Sequence, residues 1–139
     1  MYFTMNYKAL FIQYLEQQNV LYTTPQDNAV LVTYNGDNLK KIPIYVFFDK
    51  DGDPYVCMKC WDVAKVADEK FEKGLLACNS LNQTYRWVKF YIDEDKDVIV
   101  QSDTLVDELT CGEECLILVK RMVSIIDEGY PTLMQKLWS

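Results

Sequence analysis

The chain has 139 residues, half of them apolar and a quarter charged, a length and balance that suit one folded domain over 1–139 and exclude a disordered chain. Its 21 acidic residues against 14 basic ones leave a formal charge of −7, which argues against nucleic acid or anionic membrane as partners, since both are held by clustered Lys and Arg. Histidine is absent, which removes the usual general base near neutral pH and the commonest imidazole metal ligand.

Residues 1–10 carry one lysine and no continuous apolar core, so they do not read as a secretory leader. No apolar run approaches the roughly 20 residues needed to cross a bilayer. With five cysteines, an odd number, the expectation is a cytoplasmic protein with reduced thiols. Leu10, Phe11, Tyr14 and Leu15 predict an amphipathic helix over about 5–18, stopped by a left-handed Asn19. A strand over 28–34 ends at Asn35-Gly36-Asp37-Asn38, a strong turn signal. A second strand over 41–49 contains Pro43, which places that residue at a sheet edge or in the first part of the strand. Asp49 to Pro54 turn the chain into a third strand over 54–61.

From Val63 to Asn82 the period becomes helical, with Val63, Val66, Phe71, Leu75, Cys78 and Leu81 on one face and Asn82 as the stop. Strands over 85–92 and 97–102 follow, joined by an acidic turn. Thr110 with Glu113 has the form of a capping box opening a last helix, which Gly129 and Pro131 are expected to kink or break. The order α-β-β-β-α-β-β-α with hairpin or helical connections predicts an α+β fold with an antiparallel sheet.

Period two separates the faces of that sheet. Val88, Phe90 and Ile92 oppose Tyr85, Trp87, Lys89 and Tyr91, while Ile42, Ile44, Val46 and Phe48 oppose Lys41, Tyr45 and Phe47. Tyr45, Phe47, Tyr55, Trp61, Tyr85, Trp87 and Tyr91 would then line one aromatic side. Either the last helix covers these rings, or a second copy or a client protein does, and Tyr and Trp suit the latter because each joins a large apolar area to a polar tip. The candidate partner-binding residues are Tyr45, Tyr55, Tyr85, Trp87, Lys89 and Tyr91. In the last helix, Leu116, Val123, Tyr130 and Leu137 recur every seven residues, a pattern that serves either packing on the sheet or a dimer seam.

Chemical motifs are thin. Asp49-x-Asp51-x-Asp53 starts like a calcium loop, but its sixth position is Pro54 and its twelfth is Cys60, so it reads as a polar turn. Asp93-Glu94-Asp95-Lys96-Asp97 reads likewise. Cys57-x-x-Cys60 has zinc or redox spacing, yet on a strand an odd separation points the two sulfurs to opposite faces. Cys111 and Cys115 share a helix face, and a meeting of Cys57, Cys60, Cys111 and Cys115 would make a tetrathiolate zinc or redox module, the alternative function. No nucleophile elbow, phosphate-cradling loop or zincin motif occurs, so no catalytic residue, enzyme activity or cofactor is expected.

The segment from Leu75 to the C-terminus resembles the YbjN-like family, labelled bacterial sensory-transduction regulators. The likeness rests on Asn79-x-x-Asn82, Lys89-Phe90-Tyr91-Ile92, Asp93-Glu94-Asp95 and Ile126-Asp127-x-x-Tyr130-Pro131-x-Leu133. The element order is also similar to type III secretion chaperones. The resemblance implies a chaperone-like fold, a homodimer and no catalysis. The expected function is a non-catalytic, chaperone-like or regulatory module that binds a protein client.

Overall fold

Helix α1 (Tyr7–Gln17) begins where the Asn6 side chain accepts a hydrogen bond from the Ala9 amide at 2.9 Å, satisfying one of the free donors of the first turn. It stops at Asn19, whose φ of 57° is the left-handed terminus its position predicts. The structure is a computed structural model that describes residues 4–139. The expected lack of a leader over residues 1–10 therefore falls partly outside the described residues. Strands β1 (Thr23–Gln26), β2 (Ala29–Tyr34), β3 (Ile42–Phe48) and β4 (Tyr55–Lys65) come next. A single 3-10 turn then opens α2 (Phe71–Thr84), and β5 (Lys89–Ile92), β6 (Asp97–Leu105) and α3 (Cys111–Leu137) complete the chain. The order is the expected α+β succession with one short strand, β1, added. Its Thr-Thr-Pro-Gln has no apolar alternation and is exposed throughout, so sequence pattern gives no sign of it.

The strands form one six-stranded sheet in the order β1-β2-β3-β4-β6-β5, every neighbour antiparallel. Register sorts side chains onto two faces. Val32 pairs with Ile44, Val46 with Met58, Met58 with Ser102, and Phe90 with Val100. These positions share the face on which Phe11 and Leu15 of α1, Leu81 of α2, and Val119, Met122, Ile126 and Leu133 of α3 close a single core. All three helices thus pack on the same side of the sheet. Pro43 sits in the first part of β3, before pairing with β4 begins at Tyr45, so its missing donor costs no ladder bond there.

Four expectations about local structure change. The helix expected from Val63 starts only at Phe71, because β4 continues through a bulge at Asp62 (φ 59°) and pairs again, Ala64 with Val98. Asn82 does not end α2. Its side-chain amide instead accepts from the Phe90 amide at 2.7 Å and donates to the Phe90 carbonyl at 3.1 Å, covering the outer edge of β5 as another strand would. Thr110 makes no side-chain cap; Asp107 Oδ1 instead orders the turn before the helix, accepting from Leu109 N and Thr110 N at 2.9 Å each. Pro131 does not break α3, which runs unbroken to Leu137 with Leu133 and Leu137 held in the core beyond it. The seven-residue recurrence of that helix faces inward: Leu116 and Leu137 are core residues, and Val123 and Tyr130 pack against the core.

One tertiary clamp connects α3 to the β2–β3 turn. The Asp127 carboxylate accepts from the amides of Asp37, Asn38 and Leu39 at 3.1, 2.7 and 3.0 Å, and these bonds hold it below its ordinary pKa. Gly36 is required beside it, since a Cβ there would strike the carboxylate. Among the described residues, no helix is long and apolar enough to cross a membrane.

Candidate functional site

The sheet face turned away from the helices carries the opposite register positions. Leu31 pairs with Tyr45, Tyr45 with Lys59, Phe47 with Cys57, Lys59 with Gln101, Cys57 with Asp103, Lys89 with Gln101, and Tyr91 with Ile99. Tyr45, Phe47, Trp61 and Tyr91 stand outside the helix-packed core. The rings rest on one another: Tyr45 and Phe47 stack at 6.2 Å between centroids, and Trp61 meets them edge-on at 5.0 and 5.6 Å. The bulge after Trp61 leaves this ring as a ridge between two shallow depressions. One, of about 280 Å³, is bordered by Asn28, Tyr55 and Cys57; the other, of about 460 Å³, by Lys41, Pro43 and Tyr45. Lys59 Nζ lies 5.6 Å from the Trp61 centroid, and Lys89 Nζ 5.7 Å from that of Tyr91.

The other half of this face is a chain of hydrogen bonds. Tyr91 OH donates to Gln101 Oε1 at 2.8 Å, Gln101 Nε2 donates to Asp103 Oδ2 at 3.0 Å, and Tyr55 OH donates to Asp103 Oδ1 at 2.6 Å. Desolvation works against the Asp103 charge, but hydrogen bonds from Tyr55, Gln101 and Cys57 outweigh it and hold the carboxyl below its usual range. The same bond to Asp103, followed by burial, pushes the Tyr55 phenol up. Gln101 and Asp103 were not singled out from the sequence, although β6 alternates Ile99, Gln101, Asp103 against Val98, Val100, Ser102 and so shows which side they take.

Of the predicted partner-binding residues, Tyr45, Tyr55, Lys89 and Tyr91 lie together on this face, while Tyr85 and Trp87 do not. Strand β5 begins only at Lys89, and Trp87 has a φ of 80°, which breaks the period-two register that would have continued the ladder. Tyr85 packs against the core near Gly129. Trp87 lies beside α3, its carbonyl accepting from Ser102 Oγ at 2.6 Å and its ring 5.9 Å from the Arg121 guanidinium.

The cysteines do not assemble. All five are free and buried. Cys57 is on the aromatic face and Cys60 on the core face, as their spacing implies, so Cys57, Cys60, Cys111 and Cys115 do not converge on one point. Burial pushes Cys60 up to about 12 and Cys78 up to about 11; hydrogen bonding to Cys111, with burial, raises Cys115 further. A thiol held protonated in this way is a weak nucleophile, whereas the hydrogen bond with Cys115 lowers Cys111. Among the described residues, the one group of potential ligand atoms brought close together is Asp93, Asp95 and Asp97. It is knit into its own turn: Asp93 Oδ1 accepts from Asp95 N at 3.0 Å and Asp97 N at 2.9 Å, and Asp97 pairs with Lys65 at 3.2 Å.

Comparison with known proteins agrees with this architecture. The family model YbjN, described as "putative bacterial sensory transduction regulator", matches residues 9–134. The crystal structure of YbjN from E. coli, described as "a putative transcription regulator", is similar over 87% of this chain and 89% of that one, with a TM-score of 0.62 and 12% identity. A chain in the heterodimeric complex ExoU–SpcU from the type III secretion system of Pseudomonas aeruginosa is similar over 90% of this chain and 95% of its own, with a TM-score of 0.56 and 12% identity. At that identity the two structures speak to the fold, which is that of a type III secretion chaperone. No curated protein matches the sequence.

Proposed function

Because this chain belongs to the YbjN family and carries an uncovered aromatic sheet face, we propose that it is a non-catalytic, chaperone-like or regulatory protein that binds a protein partner on that face, as a homodimer in the cytoplasm. The observation that carries this reading is the one-sided placement of the helices. Tyr45, Phe47 and Trp61 stack on one another with no helix above them. Rings of this kind offer apolar contact area, and the nearby Tyr55, Lys89 and Tyr91 supply polar tips for orientation. The polar network of Gln101 and Asp103 borders the patch and keeps it compatible with water when it is empty. The ExoU–SpcU structure adds support from fold, being a related architecture found in a two-protein complex.

The test is co-purification from the native host with Trp61→Ser and Tyr45→Ser variants. The partner should be lost from both, while the circular dichroism spectrum and the oligomeric state stay those of the wild type. A partner retained by both folded variants refutes the assignment of this face.

A further inference from the structure

The outer side of α3 has a pattern that neither the core nor the aromatic face uses. Glu113, Glu114, Ile117, Lys120 and Arg121 are all exposed, and their helical spacing puts them on one stripe. Relative to Ile117, glutamates stand three and four residues before, and a lysine and an arginine stand three and four residues after. We infer that this stripe pairs two copies of the chain, α3 antiparallel to α3 across a two-fold axis at Ile117. This places the interface of the homodimer proposed above.

Charge complementarity selects a second copy as the occupant. When a helix packs antiparallel on its own copy, a residue a given distance before the axis meets the residue the same distance after it. Glu113 then faces Arg121 and Glu114 faces Lys120, each contact made twice, with no like charges opposed. None of the four is in a salt bridge, the one among the described residues joining Lys65 and Asp97, and Arg121 lies against the Trp87 ring on the same side of the helix. The central apolar position obeys the same operation. Ile117, 48% exposed, meets itself on the axis. Ile117, Lys120 and Arg121 also line a depression of about 390 Å³ with Trp87, Ser124 and Ile125, which the same pairing would cover. Because α3 is on the opposite side of the sheet from Tyr45 and Trp61, pairing leaves both aromatic faces free.

Sedimentation equilibrium tests the arrangement. The wild type should dimerise. The double variants Glu113→Lys/Glu114→Lys and Lys120→Glu/Arg121→Glu should each raise the dimer Kd about tenfold or more, because like charges then face each other. Mixing the two double variants should restore pairing as a heterodimer, and the quadruple variant carrying all four reversals should pair with itself. Near-UV circular dichroism verifies that each variant is folded. A monomeric wild type, double variants that dimerise as the wild type does, or a folded quadruple variant that stays monomeric would each overturn the inference. Partner capture that still depends on Trp61 in such a case leaves the proposed binding face standing, so the two failures are separable.

Discussion

The two faces of the sheet are built from the same strands and differ in almost everything else. Along β3, Ile42, Ile44, Val46 and Phe48 are sealed, whereas Pro43, Tyr45 and Phe47 remain half-buried. Along β4, Val56 and Met58 point to the helices, and Tyr55, Lys59 and Trp61 point away. The covered side is aliphatic and β-branched, suited to dense packing against helices. The uncovered side is aromatic with lysine stems and a hydrogen-bonded polar border, a composition that tolerates water and also fits a partner. Alternation alone produces both, so the side chains, and not the backbone, decide which face holds the molecule together and which is available.

Four measurements would break or sharpen that contrast. Ile44→Ala on the covered face should cost about 3 kcal/mol in urea unfolding, the usual range for emptying a buried aliphatic site. A loss below 1 kcal/mol would mean the core there is loosely packed. Trp61→Ala, on the open side of β4, should cost only about 1–2 kcal/mol, the value of its two edge-on ring contacts, while removing partner capture. An effect as large as that of Ile44→Ala would make the open face structural. Asn82→Ala should cost about 1 kcal/mol and increase self-association at high concentration, because the edge of β5 loses its cover. The smallest change at neutral pH is expected for Asp127→Asn, a shift of at most a few degrees in thermal midpoint, since one oxygen still accepts from Asn38 and Leu39 and only the longer bond from Asp37 is lost. Its signature is in acid. The folded pKa of Asp127 is depressed, so its contribution is complete above about pH 4 and is lost as pH falls through the lower folded value. The variant should therefore show a flatter stability profile below about pH 4, and an unchanged slope there would remove the clamp from the acid response.

Much of this was legible in the sequence wherever the signal is periodic. The alternation of β3, the helical stripe of α3, the left-handed stop at Asn19 and the opposite facing of Cys57 and Cys60 all follow from spacing and residue type. Two of the misses share a cause, which is backbone handedness at single residues. Val63 and Val66 fit a helical period by coincidence, and only the left-handed Asp62 shows that β4 bulges and carries on. Tyr85 and Trp87 fit a strand period, and only the φ of Trp87 takes them out of the sheet. Thr110 leaves the first turn of α3 without a side-chain cap, and it is the Asp107 carboxylate that orders the turn leading into the helix, accepting from Leu109 N and Thr110 N.

The positions of the three tryptophans have a practical consequence for optical work. Trp61 lies within the open sheet face, Trp87 beside α3, and Trp138 at the C-terminus, where it is 82% exposed. Each indole therefore sits in a different dielectric setting, and proteins retaining one at a time would emit as independent fluorescent probes of sheet occupancy, helix pairing and chain-end solvation.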